Sequence, residues 1–168
     1  MAATEKWAAQ ATFARLRERG IPAAEIKTPN LLALIPTALR RLAQKRGDYF
    51  QEETNVSLAA GIGDLAALEA AGYLPETIDA GQIFHANSNY PLQPVADEAQ
   101  LRFPWPKMFI YYCFSGNQIK TLNIDSSLTS LTGSLRVTAV KIPAIGDLES
   151  QIQPEFLDEM EILSLPQK

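Results

Sequence analysis

Side chains that could do chemistry are scarce in this 168-residue sequence, which has one histidine and one cysteine. His85 is the group whose charge changes most easily near neutral pH, and it lies in the polar stretch HANSNY with Asn87 and Tyr90. These three residues are candidates for lining a polar pocket in a loop, with a turn histidine held by local hydrogen bonds as the alternative. One histidine and one cysteine exclude most zinc sites and most histidine-based triads, so we expect no metal and no cofactor.

No pattern typical of an enzyme occurs in the sequence. It lacks GxxxxGK[ST], GxSxG and CxxC, the motifs of phosphate-binding loops, serine hydrolases and thiol redox sites. Asp158, Glu159 and Glu161 place carboxylates near the C-terminus. Because no partner faces them in the sequence, we expect a solvated edge rather than an acid–base pair. A non-enzymatic role is favoured.

Two features are candidates for binding a protein partner. Arg40, Arg41 and Lys45 lie on the polar face of a predicted helix. Trp105 stands between two prolines, which fix its backbone, so its indole is either an exposed anchor for a partner or a lid over the core.

The charge of the chain is unevenly distributed. Residues 1–55 contain nine Lys or Arg against six Asp or Glu, whereas residues 56–168 contain six against thirteen. This difference suits subunits that pack through charge-complementary faces, with a solvated helix face as the alternative explanation. A pI near 5.0 argues against nucleic-acid binding.

The first part of the chain is predicted to be mainly helical. A first helix covers ATEKWAAQATFARLRERG, and Thr28 followed by Pro29 is the start signal of a second. Pro36 predicts that the second helix either kinks or restarts. Asp64 is a good N-cap for a third, short helix, which Gly72 ends.

The second part is predicted to form an antiparallel sheet. The apolar run KMFIYYCF is typical of a strand buried on both faces, and Cys113 within it is expected to be a buried, inert thiol. SGNQ predicts a hairpin turn into QIKTLNI, and SLRVTAVKI alternates as a third strand. Two assignments remain open for the segment PEFLDEMEILSL: a helix over 154–160 and a strand over 161–165.

Helices followed by strands predict an α+β fold, with the N-terminal helices packed on one face of an antiparallel sheet of three or more strands. The length suits a single domain over residues 1–168. Its predicted parts are a helical part at about 4–72, an irregular loop at about 76–102, a sheet at about 103–142 and a C-terminal helix or strand at about 150–166.

The alanine-rich helix that ends in AAGYLP, the loop after it and the hairpin-connected sheet together resemble the soluble part of type IV pilins and pseudopilins. Type IVb-like and minor pilins are the most similar, over residues 37–142. The resemblance implies a structural subunit of an extracellular filament, the fimbrium, or of a secretion apparatus, whose partners are other subunits or its own copies. It implies an extracellular or periplasmic protein if an apolar N-terminal segment has been removed, with membrane contact only then. A native start at Met1 would indicate the cytoplasm.

The alternative function is a small-ligand sensing or binding domain. Its pocket would lie between the helices, the long loop and the aromatic face of the sheet, lined by Tyr111, Phe109 and Tyr90.

Overall fold

The computed structural model describes residues 2–86, 90–101, 110–123 and 133–165. These residues form five α-helices and a mostly antiparallel sheet of eight strands, so the mixed helix and sheet content is as predicted. The helices are α1 (Glu5–Glu18), α2 (Thr28–Lys45), α3 (Leu65–Ala70), α4 (Glu98–Leu101) and α5 (Gln153–Ser164). The strands are β1 (Gln51–Ala59), β2 (Ile62–Asp64), β3 (Tyr73–Leu74), β4 (Phe84–His85), β5 (Gln93–Pro94), β6 (Ile110–Ser115), β7 (Gln118–Asn123) and β8 (Gly133–Lys141).

The chain divides into two compact units: a helical unit, Met1–Phe50 with Ile142–Lys168, and a sheet unit, Gln51–Lys141. This division does not test the predicted single domain, which stays a prediction.

In the helical unit, α1, α2 and α5 pack against one another. Their shared core is aliphatic and aromatic, and the ring of Trp7 stacks on that of Phe156 at 6.2 Å between centroids. The fully buried members include Ala8, Ala38, Leu42, Ile152, Phe156 and Met160. Burial of these side chains supplies the main driving force for assembling the three helices.

The helix starts follow the local signals in the sequence. The Thr4 hydroxyl accepts a hydrogen bond from the Trp7 amide at 3.1 Å and caps α1. In α2, the chain continues through Pro36 as one helix, so the predicted restart does not occur. Tyr49 and Phe50 lie in the turn after α2 has ended.

The strand order of the sheet unit is β3-β8-β1-β2-β7-β6-β5, and β4 pairs with β8 on the side where β3 also pairs. Only β5 and β6 run parallel within the described sheet. The predicted β6–β7 hairpin and the third strand, β8, are confirmed. Tyr111, Tyr112 and Cys113 are buried in succession, as predicted for a strand covered on both faces.

Cys113 is free and buried, and burial raises the pKa of its thiol, with the charge of Asp97 adding to the shift. A raised pKa keeps the thiol protonated and poorly nucleophilic at neutral pH.

The strands β1 and β2 lie inside the part of the chain that we predicted to be helical, residues 4–72. The sequence QEETNVSLA alternates weakly, with Val56 buried and its neighbours exposed. Its eight-residue antiparallel pairing with β8 is a long-range interaction. Tertiary pairing of this kind overrides weak local propensity.

The predicted irregular loop over 76–102 contributes to the core. Ile83 and Leu92 are almost fully buried, and the Leu92 amide donates to the Ile83 carbonyl at 2.7 Å. Near the C-terminus, α5 is one continuous helix, so the strand considered over 161–165 is wrong.

Candidate interaction site

The basic residues of α2 face carboxylates of α5. The side chain of Glu159 is 1% exposed, and its carboxylate contacts Lys45 Nζ and, at 3.4 Å, Arg41 Nε. One helical turn earlier in α5, Glu155 accepts from Arg46 at 2.5 Å. The expectation of a solvated acidic edge is therefore wrong for Glu159, which is a buried partner within the chain.

A second set of ion pairs joins α1 to the same helix. Arg15 contacts Asp158 at 2.5 Å, and both Arg15 and Arg19 contact Glu161, a residue that is itself buried. Only Asp158, with 61% of its side chain exposed, fits the predicted solvated edge.

The predicted partner-binding cations are thus already engaged. Arg41 and Lys45 keep about half of their side-chain surface exposed while contacting Glu159, and Arg40 also has an interaction. Their role in contacting acidic groups of a neighbour stays a prediction. Trp105, the other predicted anchor, lies outside the described residues.

The predicted polar pocket is described only in part. His85 is half-buried on β4, opposite Leu135 of β8, and Tyr90 is 75% exposed. Asn87 lies outside the described residues. The pocket therefore stays a prediction.

A groove that sequence reasoning missed lies between α1 and α2 and has a volume of about 680 Å³. We call it the α1–α2 groove. Its apolar walls are Ala9 and Phe13 of α1 and Leu32 of α2. Polar side chains form its rim: Glu5, Lys6, Gln10 and Thr28.

Helical spacing explains how the sequence builds the α1–α2 groove. Residues 5, 9 and 13 recur every four positions on α1, as do residues 28 and 32 on α2, so each set forms one ridge. Leu31 is 3% exposed, but its neighbour Leu32 is 37% exposed. Adjacent positions of a helix point about 100° apart, so Leu31 and Leu32 face different directions. No local signal marks Leu32 as exposed, because other adjacent pairs of α2, such as Ala38 and Leu39, are both buried.

The rim of the α1–α2 groove carries one acid and one base. Neither Glu5 nor Lys6 forms an ion pair with another described residue. An apolar floor with a polar rim suits the docking of an amphipathic helix, whose apolar ridge enters the groove.

A separate cavity of about 430 Å³ lies where α1 ends, α2 begins and α5 ends. Its apolar lining comprises Leu16, Ile21, Ile26, Leu31, Leu34 and Leu163. Glu25, Lys27, Asn30 and Ser164 supply the polar groups. A cavity of this size and composition suits a small apolar ligand with a polar end.

Within the four described ranges, no cluster of three or more His, Cys, Asp or Glu side chains is arranged to hold a metal ion. Across the same residues, no helix combines the length and the apolar character needed to cross a bilayer.

No family model matches the sequence, and comparison with curated proteins gives no match either.

Proposed function

We propose that this chain is a non-enzymatic structural subunit that binds other protein subunits through the α1–α2 groove. The observation that carries the proposal is the open apolar groove itself, in which Leu32 is 37% exposed. Exposed apolar surface with a polar rim is typical of protein–protein contact sites. Removing that surface from water would drive association.

A second copy of the chain is the partner that the rim charges favour. In a twofold symmetric contact, the same surface of each copy faces the other. Glu5 of one copy can then lie near Lys6 of the other, so the rim is complementary to itself.

The concrete version of this proposal is a pilin-like subunit of an extracellular filament or secretion apparatus. It is supported by the residue order around AAGYLP and by the groove on two N-terminal helices. This version also requires the N-terminal helices to pack on one face of the sheet. Arg40, Arg41, Lys45 and Trp105 would add contacts to a neighbouring subunit.

Sedimentation equilibrium of the full chain tests the proposal. We expect the average mass to rise with concentration, and Leu32→Lys to hold the chain as a monomer because a charge would be buried in the contact. Ala33→Lys is the matched control, since Ala33 is exposed on the same helix but does not line the groove. If both lysine variants associate like the unchanged chain, the groove is not the contact.

The cavity of about 430 Å³ favours a second candidate function, small-ligand binding. It belongs to the helical unit, whereas Tyr111 belongs to the sheet unit, where it is buried beside Leu101 and Cys113. An aliphatic carboxylate fits its apolar lining and the Lys27 ammonium at its rim. Octanoate should raise the melting temperature, and Ile26→Phe, which places a bulkier side chain in the cavity lining, should reduce the rise. No rise with the unchanged chain would contradict this candidate.

A further inference from the structure

The strand β1 is fully paired on one side and almost unpaired on the other. Residues 51–58 pair with β8, whereas β2 pairs only with Leu58 and Ala59 at the end of the strand. Beyond that point β2 gives way to α3, and no described residue continues the ladder along 51–57. We call this segment the β1 edge.

The hydrogen bonds of β8 fix the direction of the backbone groups on the β1 edge. The carbonyls of Thr138 and Ser134 accept from Asp79 and Ala86, which lie on the far side of β8 from β1. Their register partners on β1 are Glu53 and Ser57.

In an antiparallel ladder, opposed residues that do not bond each other both face outward. The backbone groups of Gln51, Glu53 and Asn55 therefore point away from β8 into the unpaired side. All three residues are exposed. Alternate outward N–H and C=O groups over about 20 Å are the template that an added strand uses.

A groove lies next to the β1 edge, with α3 as its other wall. Its volume is about 200 Å³, and it is lined by residues 54–57 on one side and by Asp64, Ala67, Leu68 and Ala71 on the other. Val56 and Leu68 are buried at its floor. Alternate side chains of an added strand would point into it. The space admits small aliphatic side chains.

The charges around the β1 edge are mainly acidic. Glu53, with 66% of its side chain exposed, lies on the outer face, where the Arg136 guanidinium is 3.9 Å away. Asp64 lies at the α3 wall of the groove and is exposed. A bound segment with lysine or arginine on its outer face would complement the Glu53 carboxylate.

We propose that the β1 edge binds an extended segment of a partner protein, which adds as a strand and alternates cationic with small aliphatic residues. The outward backbone groups supply the hydrogen bonds, and the groove beside α3 selects the aliphatic side chains. A second copy of β1 is a poor occupant, because it would bring Glu52 and Glu53 to an edge that already carries them. This surface belongs to the sheet unit and is separate from the α1–α2 groove.

A synthetic nine-residue peptide with lysine and valine alternating is the probe, titrated into the full chain by calorimetry. We expect binding that weakens about tenfold or more when the amides of the peptide facing β1 are N-methylated, because methylation removes the donors without changing charge. A peptide with glutamate in place of lysine should also bind at least about tenfold more weakly. Equal affinity for the methylated peptide would overturn strand addition, and equal affinity for the glutamate peptide would overturn the cationic partner.

Asn55→Pro tests the site on the protein. The Asn55 amide points outward, so proline removes a donor to the added strand while leaving the β1–β8 bonds intact. Asn55→Ala is the matched control that keeps the amide, and the circular dichroism of both variants reports on folding. We expect only the proline variant to lose its binding of the peptide. A folded proline variant that binds the peptide as tightly as the alanine variant overturns the proposal. Self-association of the unchanged chain that Asn55→Pro abolishes also overturns it, because the β1 edge would then bind a second copy.

Discussion

At the scale of single residues, the ion pairs of Glu159 join a buried carboxylate to two largely exposed cations. Its carboxylate is 1% exposed, whereas the side chains of Arg41 and Lys45 are 45% and 62% exposed. Removing the acid leaves two cations that water can solvate. Removing both cations leaves a carboxylate with little access to water, which is the costly case.

We therefore expect Arg41→Met with Lys45→Met to lower the free energy of unfolding by about 3 kcal/mol, and Glu159→Met to change it by less than about 1 kcal/mol. Urea titration of the double variant, of Glu159→Met and of Lys45→Met alone measures these changes in the free energy of unfolding. A Glu159→Met loss as large as that of the double variant would show that the carboxylate is a net stabilising partner.

The residue scale also marks a limit of sequence reasoning. The sequence placed cations on α2 and carboxylates near residue 160, and both are present. Their mutual contact depends on how α5 packs against α1 and α2, which no local pattern contains. The same limit applied to Leu32, whose exposure follows from which side of α2 meets the core.

At the scale of elements, local capping and turn chemistry were predicted well. Asp64 caps α3, with its carboxylate accepting from the Ala66 amide at 2.8 Å, and Gly72 after the helix has φ +93°. β1 was missed because QEETNVSLA has weak alternation and gains its structure from β8. The segment 76–102, predicted to be an irregular loop, contains β4 and β5, which pair with β8 and β6.

At the scale of elements, we predict the effect on stability of a substitution in the two-residue turn between β6 and β7. Gly116 has φ +56° at the first central position of the turn, and an added Cβ would meet nothing within 4 Å. The cost of Gly116→Ala is therefore purely conformational, and we expect a loss of about 1 kcal/mol in the free energy of unfolding.

Gly146→Ala is the control for this turn, because that site is equally open and its φ is not positive. Denaturant titration should show little change or a small gain for it. Equal effects of the two substitutions would contradict a requirement for glycine in the hairpin turn.

At the scale of the whole molecule, composition and element order predicted a mixed fold with a mostly antiparallel sheet, which the structure has. The candidate sites were less predictable. The α1–α2 groove and the β1 edge each depend on surfaces that different elements leave uncovered, and a sequence read one segment at a time does not show what remains uncovered. The proposed binding of other proteins rests on those two surfaces.

The concentration dependence of the mass of the unchanged chain, compared with Leu32→Lys, tests the central claim most directly. Sedimentation equilibrium from micromolar concentrations up to about 1 mM covers the affinities of weak and strong subunit contacts. The proposal predicts a mass that rises toward the dimer or beyond for the unchanged chain and stays at 18.5 kDa for Leu32→Lys. A monomer at every concentration for both chains would contradict a self-associating subunit.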